Sequence, residues 1–547
     1  MDAIHLDPVE DGLSLPSLPL LVQATKHAHA APSHIAVIDV ATGRQATYGQ
    51  LLTDVVVAKR HLLEQVGLPE NGDLRERAVV MVIPNGYSYV VAQWAIWAAG
   101  GICVPLCPTY PLPELLRAIH STGPCMVLTS GSLVPMETAL KASLPQMSFT
   151  EIHGNQPTDH SHGIASVPRL RTCHWRGRRA LIIFTSGTMS QPKGCVLTHQ
   201  NITVQVESLT TLWEYTPSDH LIHVSPLFHV SGLINGLVAG LWAGATVELH
   251  CKFQSAAIWD RWQMEKSTCT IFCGVPTIYI SLLDFYRVHI RGMEREKAAL
   301  RGIRSLRLLT NAAGLLPPSA RTAVCEIAGQ PVLEEYGCTE TGMALSNGLA
   351  VDRRIAGSMG WPLPGVQARL VDSRGRVIAA ASKEEGELQI KGQNVFLEYW
   401  QQPEMTSSAF TDDGWFRTGD VARRDGNGAF YIYGRAETDW IKSGGHSISA
   451  LEVEHYCLSL AGIQEAVVVG VQDEKWGQRV AAIIKQVPGT NTLSLLAFRA
   501  QLKQQIASYK VPTLLRIVDR IDRNVMGKVD KKAIARSFWP DRVNGCV

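Results

Sequence analysis

The chain has no excess of charge of either sign. Its 51 basic and 49 acidic residues leave a formal net charge of +2, so the balance gives no reason to expect a nucleic acid or an anionic membrane as partner. A basic start followed by an apolar core is also missing. Asp2, Asp7, Glu10 and Asp11 precede any hydrophobic run, and no secretory signal is expected there. The longest apolar window, LFHVSGLINGLVAGLWAGATVEL, is broken by His229, Ser231, Asn235 and four glycines. It reads as a buried helix and strand rather than a membrane span. The last residues, NGCV, form neither a prenylation box nor a peroxisomal address. The 12 cysteines are scattered. Cys103/Cys107 and Cys269/Cys273 lie four apart, but no histidine spacing completes a zinc site, so reduced, mostly buried thiols in an intracellular protein are expected. There is no internal repeat and no low-complexity tract.

What is present suits a large globular protein. The 547 residues, 46% hydrophobic and 18% charged, suggest roughly two to four domains. Strand-like runs alternate with helical ones: AVVMVI before GYSYVVAQWAIWAAGG, CMVLTS after LPELLRAIHST, STCTIFCGVP before TIYISLLDFY, SLRLLTNAAG before LPPSARTAVCEIAG and then PVLEEYG. Such alternation predicts α/β layers with largely parallel sheets. After about residue 350 the strands shorten between turn signals, as in GVQARLVD, GELQIKG and GAFYIYG with DSRG and DGNG. This predicts a β subdomain over about 350–436. A smaller α/β unit follows, with SALEVEHYCLSL and LLAFRAQLKQQIA as helices and IQEAVVVGV, RVAAIIKQV and LLRIVDRI as strands. The expected boundary is YGRAETDW, dividing an N-terminal domain (1–436) from a C-terminal one (437–547).

Several loops carry chemistry. In LIIFTSGTMSQPKG (Leu181–Gly194) an apolar strand runs into hydroxyls, glycines and a lysine, groups that together can grip phosphate. The order is PKG, not that of a P-loop. YGCTETG (Tyr336–Gly342) sets a threonine and a carboxylate beside an aromatic ring, a pairing that suits Mg²⁺ next to phosphates. GWFRTGD ends in Asp420, which could accept from ribose hydroxyls. YGR ends in Arg435, a planar cation for the same sugar or a phosphate. NVMGKVDKK places Lys528 after a glycine. Each loop alone is more simply a cap, a turn or a solvated charge.

Together and in order, these pieces resemble the adenylate-forming superfamily of acyl-CoA synthetases, adenylation domains and luciferases. The resemblance runs from TYGQLL (Thr47–Leu52) to GKVDKK (Gly527–Lys532). SYVVAQWAIWAAGG, GVPTIY, EEYGCTETGMALS, GSMGWPLPGV, IKSGGHSISALEVE and WGQRV are most similar to the malonyl-CoA-synthetase-like branch. The resemblance implies an ATP-dependent carboxylate–CoA ligase. A carboxylate attacks the α-phosphate of ATP–Mg²⁺, pyrophosphate leaves, and the thiol of CoA then displaces AMP from the acyl-adenylate. The expected fold is a large N-terminal domain of stacked α/β sheets with a β subdomain, plus a small mobile C-terminal α/β domain.

By the same resemblance, Thr185, Ser186, Gly187, Thr188 and Lys193 hold the β- and γ-phosphates. Thr339 contacts the α-phosphate and Glu340 binds Mg²⁺. Tyr336 stacks on adenine beside Asn311, Ala312, Ala313 and Gly314, while Asp420 and Arg435 hold the ribose. Lys528 reaches the α-phosphate and the substrate carboxylate. Rotation about a hinge near Glu437 then brings Lys442, Gly444 and Gly445 to the thioester step. His229, in PLFHVSG, is expected in the acyl pocket.

Two departures stand out. The family loop TSGTTG reads TSGTMS here. Ser190 in place of glycine would cost roughly 1 kcal/mol if a positive φ is needed, and the hydroxyl lost at Met189 about 1–3 kcal/mol, so weakened ATP affinity is expected. Malonyl-CoA synthetases carry a cation two residues after the tyrosine of VPTFY. Here that position is Ser281, which would leave a second, buried carboxylate unpaired at high cost. Another carboxylic acid, from a specialised biosynthetic pathway, is therefore expected, with malonate as an alternative. Loading of a carrier protein, a non-catalytic nucleotide-binding homologue and a luciferase-like oxidation are the other readings. No carrier-type serine motif follows Lys528, which favours CoA. The expected partners are a small carboxylic acid, ATP and CoA. No nucleic acid or membrane span is expected, and the chain would be a monomer or homodimer. The cytoplasm is the first expectation for its compartment, with peroxisome and mitochondrion open.

Overall fold

The structure, a computed structural model, describes residues 14–152, 167–185, 193–265, 268–380, 382–435, 439–444, 446–523 and 528–540. Unbroken apolar runs make strands that are buried on both faces. Ala78–Met81 and Met126–Thr129 are such strands, parallel neighbours in which every residue is buried. They belong to a seven-stranded sheet ordered Glu398–Tyr399, Lys193–Thr198, Arg179–Thr185, Ile102–Pro105, Ala78–Met81, Met126–Thr129, Phe149–Glu151. A nine-stranded sheet runs Trp361–Pro362, Gly342–Ser346, Leu333–Cys338, Leu308–Asn311, Ile271–Gly274, His220–His223, Thr246–Leu249, Ile35–Asp39, Gln45–Thr47. Both counts are of the described residues.

Helices fill the space between the sheets because their sequences have no polar face to offer water. In Tyr87–Ala98 every residue but Ser88 is buried, and the helix touches a strand of each sheet. The expected helix within LFHVSGLINGLVAG forms as a π-wound segment, Ser231–Val238, that continues into Ala239–Trp242. Gly236 is required there: a Cβ would lie 2.6 Å from the His223 ring. One core cluster spans this middle layer. Separate clusters lie on the outer faces, around Trp259, Trp262 and Tyr279 on the nine-stranded sheet and around Leu115, Ile119 and Leu140 on the seven-stranded one. The result is the stacked α/β architecture expected from the strand–helix alternation.

The shorter strands form a four-stranded antiparallel sheet, Val366–Val371, Glu385–Gly392, Phe416–Arg424, Phe430–Arg435. Trp361–Pro362, inside the expected β subdomain, pairs instead with the nine-stranded sheet. The next strand begins at Trp440, in a five-stranded sheet that has a core cluster on each face. The helix expected over LLAFRAQLKQQIA stops at Leu502, shorter than its apolar pattern. Among the described residues, no helix is long and apolar enough to cross a membrane.

In an open α/β sheet ligands gather at the carboxyl ends of the parallel strands. His220–His223, Ile271–Gly274, Leu308–Asn311 and Leu333–Cys338 are parallel neighbours. The segments holding His229, Pro276, Ala312–Gly314 and Thr339–Thr341 therefore leave one common edge.

Candidate active site

Thr185 and Lys193 end two antiparallel strands and face each other in register. They frame the loop 186–192, so Ser186, Gly187, Thr188, Met189 and Ser190 lie outside the described residues, as do Glu437 and Gly445. The Lys193 ammonium sits 5.3 Å from the centre of the Tyr399 ring, within cation–π range. The Tyr399 hydroxyl donates to Glu340 Oε1 at 2.8 Å. Thr339 and Glu340 form the turn between strands Leu333–Cys338 and Gly342–Ser346. The Cys195 thiol donates to the Thr339 carbonyl, and the Phe396 N–H donates to the Glu340 carbonyl at 2.7 Å. The buried amide of Asn394 donates to the Thr341 carbonyl at 2.7 Å. The turn is thus tied to the phosphate-loop hairpin on one side and to residues 394–399 on the other.

The residues expected to hold the nucleoside come from four strands. Asn311 is fully buried at the end of its strand. Its Nδ2 donates to the Gly314 carbonyl at 2.7 Å and to Glu334 Oε2 at 2.9 Å. This closes the Asn311–Gly314 loop with Ala313 left-handed at φ +62°, an uncommon conformation for alanine. Tyr336 donates to Asp420 Oδ2 at 2.5 Å. Asp420 and Arg435 are cross-strand partners, with Arg435 Nε 3.5 Å from Asp420 Oδ1. Burial pushes the Asp420 carboxyl up, against the opposing pull of Arg435 and the Tyr336 hydroxyl.

Lys528 comes from the C-terminal region into the same electrostatic neighbourhood. Its surface reaches solvent, but protein atoms crowd it. Its pKa is lowered first by lost hydration and then by Arg435, while Asp420 and Glu340 act the other way. His229 faces this lysine. Burial, then the Lys528 charge, takes the imidazole down to about 3, so it is neutral at pH 7. Its Nε2 has no partner within the described protein. Ser281 is exposed on the helix Pro276–His289. Lys442 and Gly444 are exposed, with their backbone N–H groups donating to Gln478 Oε1 and the Trp476 carbonyl. Thr185, Lys193, Thr339, Glu340, Tyr336, Asn311, Asp420, Arg435, Lys528 and His229 are thus gathered around one edge. Lys442 and Gly444 bond within their own C-terminal sheet.

Three supporting residues were not singled out by the sequence motifs. Glu334 carried a signal, as the first residue of EEYGCTETGMALS. Tyr399 and Asn394 carried none: Tyr399 lies in a two-residue strand, and Asn394 in a turn whose role depends on residues about 50 positions away.

A fold of this kind, with the residues expected to bind ATP near the carboxyl edge of its sheet, is that of the adenylate-forming enzymes. Residues 24–400 match the AMP-binding enzyme family, and residues 452–528 match the AMP-binding enzyme C-terminal domain. The chain belongs to that family and is an acid–thiol ligase of the CoA-ligase type, for which ATP and CoA are co-substrates. It is 39% identical to the mitochondrial malonate–CoA ligase ACSF3 of Homo sapiens, with 86% of this chain and 84% of that one covered. It is 36% identical to a CoA ligase of Gibberella moniliformis, with 93% of each covered. Among solved structures, ATP-bound MatB from Rhodopseudomonas palustris superposes with a TM-score of 0.80 at 29% identity, covering 95% of this chain and all of that one.

Proposed function

We propose that this edge performs both half-reactions on a small carboxylic acid, with Lys528 acting in the first. The observation that carries the reading is that Lys528 lies within electrostatic range of Arg435, Asp420 and Glu340, groups drawn from distant parts of the chain. A carboxylate oxygen of the substrate attacks the α-phosphorus, the bond to the β-phosphate breaks, and pyrophosphate leaves. The substrate supplies the nucleophile, so the protein positions it and stabilises charge. Lys528 stabilises the α-phosphate oxygens and the attacking carboxylate. Lys193, Thr185 and the loop between them hold the β- and γ-phosphates, and Thr339 holds the α-phosphate. Tyr336 and the Asn311–Gly314 loop enclose the adenine, and Asp420 with Arg435 holds the ribose. Glu340 fits Mg²⁺: Tyr399 bonds one of its oxygens, leaving the other for a hard cation beside phosphate. Mg²⁺ would supply charge neutralisation there. In the second half-reaction the CoA sulfur attacks the acyl carbon and AMP leaves. Residues 437–547 turn as a unit relative to 1–436, and Lys442, Gly444 and Gly445 replace Lys528 at the site. An intracellular compartment is part of this reading, and the name of the human relative keeps the mitochondrion open beside the cytoplasm.

For the acid, the support is the missing cation: Ser281 offers no ion-pair partner to a far carboxylate, and because Ser281 is exposed rather than buried as expected, the desolvation cost argued from the sequence does not apply there. Malonate is the second reading, supported by the 39% identity to the human malonate–CoA ligase. A pyrophosphate-exchange screen over malonate, methylmalonate and short-chain, medium-chain, aromatic and tricarboxylic acids decides between them. We expect exchange with an acid lacking a second carboxylate to exceed that with malonate or methylmalonate. Malonate as the best substrate overturns the first reading, and exchange with no acid overturns the assignment of activity to this site. With the best acid, Lys528→Ala should lower the rate by about 100-fold or more.

A further inference from the structure

Lys528 lies on a loop, and something must hold it at the site. Three residues onward, Lys531 opens the helix Lys531–Phe538, whose N-cap Asp530 accepts from the Ala533 N–H at 2.9 Å. A lysine is a poor choice for that place, because the helix N-terminus already carries positive potential and the side chain is only 16% exposed. Two carboxylates compensate: Asp439 Oδ1 lies 2.6 Å and Glu454 Oε1 2.8 Å from its ammonium. Burial works against the Lys531 charge, and these carboxylates outweigh it, raising the pKa. Glu454 is oriented by the Val468 N–H, which donates to it at 2.8 Å.

Asp439 carries the connection back to the nucleotide side. Its Oδ2 accepts from the Arg435 N–H at 3.0 Å, and its own N–H donates to the Arg435 carbonyl at 2.9 Å. The chain can fold back this tightly because residue 434 is glycine at φ +107°, where a Cβ would lie 2.5 Å from that of Asp439. The Arg435 guanidinium meanwhile faces Asp420. One continuous set of contacts therefore runs from Asp420 through Arg435, Asp439 and Lys531 to the segment bearing Lys528. The Arg435–Asp439 contact spans the place where the two parts of the chain join, so rotation there breaks it.

We propose that Lys531, held by Asp439 and Glu454, is a positioning residue that fixes Lys528 over the site for adenylation and has no part in the thioester step. This rests on the reading of Lys528 given above. The test measures the half-reactions separately: pyrophosphate exchange for the first, and thioester formation from preformed acyl-adenylate and CoA for the second. Lys531→Met should lower the exchange kcat by about 10- to 100-fold, the scale of a misplacement near 1 Å, with the KM for ATP changed by less than about twofold. Lys531→Arg should restore most of the rate, and thioester formation should stay within about twofold in both variants. If Lys531→Met fails to fold, Asp439→Asn carries the test, since it removes the charge facing Lys531 and keeps an acceptor for the Arg435 N–H. Unchanged exchange, or an equal fall in both half-reactions, overturns the proposal. Unchanged exchange in Lys528→Ala overturns instead the reading of Lys528, and the proposal with it.

Discussion

Glu335 is a carboxyl placed where a charge cannot be solvated. It and Glu334 are neighbours on the strand Leu333–Cys338, so their side chains leave opposite faces. Glu334 has Asn311 as donor and Arg321 at 3.8 Å, and burial takes it up to about 7. Each has one oxygen without a hydrogen-bond partner among the described residues, and burial takes Glu335 up to about 8 against the pull of the Thr310 hydroxyl. The folded protein therefore holds a proton on Glu335 that the unfolded chain releases near pH 4.5. This contribution to stability is complete below pH 4.5, declines above it and is gone above about pH 8. Each pKa unit is worth about 1.4 kcal/mol. Glu335→Gln carries no such proton, so its melting temperature relative to wild type should rise by several degrees between pH 5 and pH 9. An unchanged difference contradicts the neutral carboxyl. The motif EEYG places two glutamates before the tyrosine, yet only the packing reveals that Asn311 and Arg321 lie beside the first of them. Asp420 and Arg435 were legible as single residues, because each ends a short motif. Their pairing was not, since it depends on the antiparallel register of strands Phe416–Arg424 and Phe430–Arg435.

At the level of elements, the hairpin Arg179–Thr198 explains why an apolar strand runs straight into a hydroxyl-rich loop. Leu181, Ile182 and Ile183 are fully buried and fix the strand in the sheet. Thr185 and Lys193 then face each other in register where the two strands end. The flanks are thus rigid, while Met189 and Ser190 replace a hydroxyl and a glycine within the loop. Restoring both, Met189→Thr with Ser190→Gly, should lower the KM for ATP by about tenfold, equivalent to ~1.4 kcal/mol. An unchanged KM rules out any weakening by this loop. Strand and helix identities were legible wherever the apolar period was unambiguous, as in Ala78–Met81 and Tyr87–Ala98. The π-wound turn at Ser231–Val238 was not, because a run that is apolar all round does not specify which hydrogen-bond spacing it will adopt. The early end of the helix at Leu502 was missed because the apolar pattern continues to Ile506, which packs in the same core without being helical.

At the scale of the whole molecule, the residues proposed for adenylation are split between a large stacked α/β body and a C-terminal unit that follows Arg435. The class of fold was legible because strand and helix periods alternate cleanly and the turn-rich stretch after residue 350 breaks that pattern. The sheet order was not, since each sheet collects strands from distant parts of the chain. Glu398–Tyr399, for example, joins Lys193–Thr198 across about two hundred residues. The central claim is that a substrate carboxylate oxygen becomes bonded to the α-phosphorus. The most direct measurement uses the best acid from the exchange screen, labelled with ¹⁸O in its carboxylate, in a reaction with ATP and CoA analysed by mass spectrometry. The account predicts one ¹⁸O per AMP formed and none in pyrophosphate. Unlabelled AMP, or label appearing in inorganic phosphate beside ADP, contradicts it.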